Sequence, residues 1–172
     1  MTAPRISDGL LNFASDAGFS LTTSDVSGAA VFWTDPGGAM RFYVRAAVDF
    51  GYTLTSAERA LAEQFELFGA SMTVIERYLF GVFGSAVRSR HRLPRLILPI
   101  KQEELALGYL LHDVDSEGYR SLNDSRGLVA KARGRVSSVS VLIKLSRLLS
   151  NSPSAIQSSF EDPEGRPLFA VR

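Results

Sequence analysis

Residues 71–84 read Ser71-Met72-Thr73-Val74-Ile75-Glu76-Arg77-Tyr78-Leu79-Phe80-Gly81-Val82-Phe83-Gly84, and no other stretch of the 172-residue chain is as informative. Its apolar residues recur every three or four positions, which predicts an amphipathic helix with one buried face. Followed to the end of the pattern, they are Met72, Ile75, Leu79, Val82, Phe83 and Ala86. Gly81 and Gly84 fall on the other side, although each glycine costs a helix about 1 kcal/mol relative to alanine. We therefore expect either a closely approaching backbone at these glycines or the start of the helix end at Gly84.

The sequence before this helix predicts a short helix and a hairpin. Residues 8–17 have apolar side chains at helical spacing, preceded by a serine N-cap and followed by a glycine terminator. Residues 28–34 and 40–46 predict two strands, because apolar and polar side chains alternate in the second of them. Residues 35–38, Asp-Pro-Gly-Gly, have the composition of the turn between these strands.

Residues 51–68 are compatible with two structures. Their first residues are typical of a strand, whereas Leu and Phe residues further on share a helical stripe behind a possible capping box. We favour a second hairpin that turns near residues 59–62. Residues 64–67 also alternate, and the first hairpin needs partner strands to complete a sheet.

The second half of the chain predicts a meander followed by helices. Short strands separated by turn-rich connectors are predicted at residues 108–114, 118–122 and 127–135. Helices follow at residues 139–149 and 153–160. The predicted fold is therefore α+β, a mainly antiparallel β-sheet with one long and several short α-helices.

The composition is that of an ordinary globular protein, with 45% hydrophobic and 22% charged residues. Its 19 basic and 18 acidic residues leave a net charge of +1, which gives no global argument for nucleic acid or an acidic membrane as partner. The absence of cysteine excludes disulfides and thiolate nucleophiles. We find no signal peptide or spanning segment and expect a cytoplasmic protein that does not enter a membrane. At this length, residues 1–172 are expected to form a single domain.

The sequence contains no recognisable catalytic constellation. It lacks a phosphate loop, a dinucleotide fingerprint and a nucleophile elbow. Only two histidines are present, His91 and His112, and neither has a second His or Cys at the spacing of metal ligands. The adjacent Glu103 and Glu104 diverge in direction, so they do not flank one bond as an acid and a base. We therefore predict no enzyme activity, no metal and no cofactor.

A basic cluster at residues 88–95 supports an alternative function as a nucleic-acid or phosphate-binding module. Proteins of that kind are usually strongly basic overall, whereas this chain is nearly neutral. We favour a solvated helix end whose cations interact with the helix dipole, and we do not expect a nucleic-acid partner. The cluster comprises Arg88, Arg90, Arg92 and Arg95, accompanied by Lys131, Arg133 and Arg135 on a predicted strand.

Three stretches resemble the actinobacterial immunity proteins of family sixty-one: residues 76–84, 41–45 and 160–168. The resemblance extends from about residue 29 to residue 169. It implies a cytosolic antitoxin that binds a secreted, NAD-hydrolysing protein toxin as a heterodimer and blocks its NAD cleft. The family has no catalytic motif to transfer to this chain.

An inhibitor of this kind needs a surface of about 800 Å² and a few anchoring side chains, and a protruding loop is the simplest plug for a cleft. We predict the contact residues in three polar loops at residues 35–38, 101–104 and 115–118. We favour the second loop, because it lies between two apolar runs. The predicted contact residues are Asp35, Pro36, Gly37, Lys101, Gln102, Glu103, Glu104, Asp115 and Glu117.

Overall fold

The computed structural model describes residues 3–35 and 38–172. Its helices are α1 (Asp8–Asp16), α2 (Met72–Arg90), α3 (Ser137–Leu149) and α4 (Pro153–Glu161), with a 3-10 turn at Gln102–Glu104. Its strands are β1 (Ser20–Thr22), β2 (Ala30–Trp33), β3 (Met40–Ala46), β4 (Tyr52–Glu58), β5 (Gln64–Gly69), β6 (Leu96–Ile97), β7 (Leu110–Leu111), β8 (Tyr119–Asp124), β9 (Gly127–Arg133) and β10 (Ala170–Val171). The predicted α+β class is confirmed.

Eight strands form one antiparallel sheet in the order β1-β2-β3-β4-β5-β9-β8-β7. The hairpin β4–β5 settles the ambiguity at residues 51–68 in favour of strands, with Leu54 opposite Leu67. The meander is confirmed as well, because β8 pairs with both β7 and β9. A second sheet, which the sequence did not predict, joins β6 and β10.

The core lies between one face of the large sheet, called here the inner face, and the helices. Val44, Leu54 and Leu67 of this face are 0% exposed. Helix α2 packs on β4 and β5 and also contacts α1, α3 and α4, so it occupies the centre of the helical layer. Phe83 of α2 is 5.0 Å, between ring centroids, from Phe32 of β2. The long amphipathic stretch is therefore the element that joins the sheet to the other helices.

The two glycines of α2 make room for side chains, which corrects both expectations about them. A Cβ added at Gly84 would come closer than 3.0 Å to ring carbons of Phe160 in α4. A Cβ added at Gly81 would lie 2.9 Å from Leu148 Cδ1 in α3. The neighbours are thus side chains rather than a second backbone, and the expected helix end at Gly84 is wrong.

Helix α2 ends about two turns later, where Arg92 takes a left-handed conformation with φ 55°. The His91 N–H donates to the Val87 carbonyl at 2.9 Å, and the Leu93 N–H donates to the Arg88 carbonyl at 2.9 Å. These bonds satisfy carbonyls that the last helical turn leaves free. The helix therefore ends at a short polar run, residues 89–92, and not at the glycine that we had considered as its end.

Candidate functional site

Arg88 of the predicted basic cluster at residues 88–95 is a structural residue, whereas Arg90, Arg92 and Arg95 are exposed. Arg88 is 4% exposed. Its guanidinium donates to the carbonyls of Pro94 at 2.7 Å, Phe160 at 3.0 Å and Asp162 at 2.6 Å. It also donates to Pro163 at 3.0 Å. The prediction of a solvated end is therefore wrong for Arg88, and neither solvent nor a phosphate reaches this cation.

The first predicted loop is described only in part. Pro36 and Gly37 lie outside the described residues. Asp35 has a positive φ of 58° and its carbonyl accepts from the Gly38 N–H at 2.8 Å. Asp35 therefore takes part in the β2–β3 turn.

The third predicted loop is a tight turn before β8. The Asp115 carboxylate accepts from the backbone N–H groups of Glu117 at 3.0 Å and Tyr119 at 2.9 Å. Both Asp115 and Glu117 are exposed. Asp115 is thus occupied in holding the turn, whereas Glu117 presents its carboxylate to solvent.

The favoured loop forms the 3-10 turn at Gln102–Glu104, whose geometry is fixed by Glu104. Its carboxylate accepts from the backbone N–H of Ile100 at 2.9 Å and of Lys101 at 2.8 Å. Hydrogen bonds from Lys101 first and from Ile100 second hold the pKa of Glu104 below its ordinary value. Lys101, Gln102 and Glu103 are exposed. The turn therefore presents polar side chains on an ordered backbone.

Helix α3 anchors this turn from behind. Arg147 donates to the Glu104 carbonyl at 2.6 Å. The Ala106 N–H donates to the hydroxyl of Ser146, a residue that is 0% exposed, at 3.1 Å. An ordered loop loses less conformational entropy on binding than a mobile one.

Apolar side chains flank the turn and are exposed to solvent. Ile100 is 52% exposed, Leu107 is 100% exposed and Leu110 is 61% exposed. Three large exposed apolar side chains in one short segment make it a candidate for a binding site. We name residues 100–110 the 100–110 segment. The sequence did not show that these residues are exposed, because apolar runs beside a loop look like core.

Glu104→Ala is expected to loosen the 100–110 segment. The backbone N–H groups of Ile100 and Lys101 lose their acceptor, so their hydrogen-exchange protection should fall several-fold at neutral pH. Glu103→Ala is the matched control, since no hydrogen bond of its carboxylate is found in residues 3–35 and 38–172. Because the pKa of Glu104 is lowered in the folded chain, its stabilisation is fully present above the ordinary glutamate pKa and is lost as the pH falls through the lowered pKa. Equal protection in the two variants would contradict this role of Glu104.

The other side of the large sheet, called here the outer face, carries aromatic and basic side chains. Neighbouring residues of a strand point to opposite faces, so Tyr43 and Arg45 lie on the outer face beside the buried Val44. The register places Phe68 opposite Lys131, and Tyr119 opposite Arg133. We define the outer platform as Tyr43, Arg45, Phe65, Phe68, Tyr119, Lys131 and Arg133, all of which are half-buried or exposed.

Side chains of the outer platform contact one another across the strands. Phe65 and Tyr119 meet edge to face, with 5.2 Å between ring centroids. Arg133 lies 5.7 Å above the ring of Tyr119. Arg45 forms a bidentate pair with Glu63 at 2.7 and 3.0 Å, and this hydrogen-bonded partner lowers the pKa of Glu63. The alternation in β3 was visible in the sequence, but the meeting of distant strands was not.

Within residues 3–35 and 38–172, no group of three or more His, Asp or Glu residues is placed to hold a metal ion. In the same residues, no helix has the length and apolarity that crossing a bilayer requires.

Comparison with known proteins gives consistent matches over most of the chain. The model of the family described as immunity protein 61 matches residues 13–168. The chain is 36% identical over 146 residues to "Immunity factor for TNT" of Mycobacterium tuberculosis and to "Immunity factor for TNT homolog" of Mycobacterium bovis BCG. Each alignment covers 84% of this chain and 80% of the relative. A solved structure, Rv3902c from M. tuberculosis, shares 33% identity and a TM-score of 0.86 over 96% of this chain and 94% of that one.

Proposed function

Since this chain belongs to the immunity protein 61 family, we propose that it is an antitoxin that binds a protein toxin and inhibits it. The observation that carries the proposal is the 36% identity, over 84% of the chain, to proteins named as immunity factors for TNT. The toxin is an NAD-hydrolysing domain, the complex contains one copy of each protein, and it forms in the cytoplasm. The chain itself performs no chemistry.

The 100–110 segment is the part of the chain that enters the NAD cleft of the toxin. Two properties of the segment support this assignment. Its backbone is held in place by Glu104 and by α3, so the segment loses little conformational entropy on binding. Its side chains combine the exposed Ile100 and Leu107 with the polar residues of the 3-10 turn. Apolar anchors with polar neighbours are typical of the energetic centre of protein interfaces.

Leu107→Asp tests the assignment. The side chain is 100% exposed, so the substitution leaves the fold unchanged, but it places a charge where the segment meets the toxin. We expect the affinity for the toxin to fall by about 10- to 100-fold. The measurement is growth of bacteria that produce the cognate toxin, together with titration of the purified pair.

Val26→Asp is the matched control, because Val26 is also fully exposed and lies in the β1–β2 connection. Cells with the wild-type chain and cells with the control should grow, whereas cells with Leu107→Asp should grow poorly. If the wild-type chain fails to rescue growth, the antitoxin function is wrong. If Leu107→Asp rescues as well as the control, only the role of the 100–110 segment is wrong.

A further inference from the structure

The outer platform has the composition of a protein-binding surface. Aromatic residues and arginine are enriched at the centres of protein interfaces, and they provide most of the residues whose truncation costs binding energy. Phe50 extends the platform beyond β3, because its ring is 56% exposed and meets Phe68 edge-on, with 5.6 Å between centroids. In the described part of the chain, the helices pack on the inner face, and the platform side chains stay accessible.

The charges of the outer platform indicate which kind of partner surface would bind it. Arg45 is neutralised by Glu63. Lys131 and Arg133, by contrast, have no carboxylate within 4.0 Å among residues 3–35 and 38–172. Asp115 and Glu117, in the adjoining turn, form no ion pair with them either. The platform therefore offers two uncompensated cations beside aromatic rings, and a surface with carboxylates and apolar side chains complements it.

The platform meets the end of the 100–110 segment at the edge of the sheet. This segment ends in β7, which is the edge strand of the same sheet. Leu111 packs against the core, so the preceding residue, Leu110, points to the outer face, where it is 61% exposed. A partner at this edge can therefore contact Leu110 and the platform together, whereas the 3-10 turn lies against α3 on the helical side of the sheet. A stable complex buries about 800 Å² on each protein, which a single short turn does not supply.

We propose that the outer platform docks an acidic surface of the toxin, outside the cleft that the 100–110 segment enters. This inference rests on the proposed antitoxin function. Lys131 and Arg133 pair with carboxylates of the toxin and speed its approach, and Tyr119 and Phe65 bury their rings against apolar side chains between those carboxylates.

The double variant Lys131→Glu/Arg133→Glu tests whether these two cations pair with carboxylates of the toxin. Binding to the purified cognate toxin is followed by stopped-flow fluorescence at low and at high salt. We expect association at low salt to slow by about tenfold, with a smaller difference at high salt, because salt screens exposed charges. Tyr119→Ala tests the aromatic part and should raise the dissociation rate by about tenfold.

Arg95→Glu is the matched control, since Arg95 is exposed and lies in the α2–β6 connection, away from the outer face. It should associate at the wild-type rate at both salt concentrations. Thermal unfolding of each variant, compared with the wild-type chain, separates loss of binding from loss of the fold. A variant that unfolds early is replaced by Lys131→Gln/Arg133→Gln, for which we expect about threefold slower association.

The outcomes separate this inference from the function on which it rests. A wild-type chain that neither binds nor inhibits the toxin would overturn both. A wild-type inhibitor whose platform variants associate and dissociate at wild-type rates would overturn the inference alone. A single-stranded RNA oligonucleotide that binds the wild-type chain and competes with the toxin would also overturn it, because the same rings and cations would then serve a nucleic acid.

Discussion

Arg88→Ala is expected to lower the free energy of unfolding by about 4 kcal/mol. Arg88 is 4% exposed, and its guanidinium donates to five backbone carbonyls, four of which belong to residues 159–163 at the end of α4. Without it, these carbonyls lose their donors in a space too confined for full hydration. The end of α4 would also separate from α2. Urea denaturation followed by circular dichroism measures the change.

Arg95→Ala is the control for this prediction, because it removes an exposed arginine from the same basic cluster. It should change the free energy of unfolding by less than about 0.5 kcal/mol. Arg88→Lys should also be clearly destabilising, since one ammonium group does not replace a planar fork that reaches several carbonyls. Equal stability of the Arg88→Ala and Arg95→Ala variants would show that Arg88 does not hold α4.

Gly84→Ala is expected to destabilise the protein by about 2–3 kcal/mol, although alanine favours a helix by about 1 kcal/mol. The added methyl group would overlap the ring of Phe160, which is 1% exposed, so the ring or helix α4 would have to shift. The ring packs on Phe169, with 5.4 Å between centroids, so this shift would disturb the C-terminal segment. The same denaturation experiment measures the loss.

Gly9→Ala in α1 provides the opposite case. A Cβ at Gly9 would meet no atom within 4 Å, so only the helix propensity changes. This variant should gain about 0.5 kcal/mol of stability. We therefore expect the two Gly-to-Ala changes to alter the free energy of unfolding in opposite directions. A stabilising effect at Gly84 would show that α2 and α4 are not packed as described.

Local patterns were sufficient to predict most elements of the fold. Alternation and turn composition predicted the hairpins at β2–β3 and β4–β5, and helical spacing predicted α1, α3 and α4. One of the two expectations for Gly84, the start of the helix end, is wrong although glycine is common at helix ends. Its actual role depends on Phe160, which is 76 positions away in the sequence, and spacing within one helix cannot reveal such a partner.

The residues of the candidate site were harder to predict. Arg88 stands in a run of basic residues that looks solvated, yet its carbonyl acceptors at residues 160–163 come from a distant helix end. Leu107 has the same chemistry as the core leucines, and only the fold shows that it is fully exposed. The outer platform arises from strands that are distant in sequence, such as β5 and β9, and its composition becomes apparent only when they pair.

Titration of the NAD hydrolysis of the cognate toxin with the wild-type chain tests the proposed function most directly. We predict that the rate falls linearly and reaches zero at one equivalent of the chain. We also predict that high NAD concentrations slow the formation of the complex, because under the proposed function NAD and the 100–110 segment compete for one cleft. A toxin that still hydrolyses NAD when saturated with the chain would contradict inhibition by occupation of the cleft.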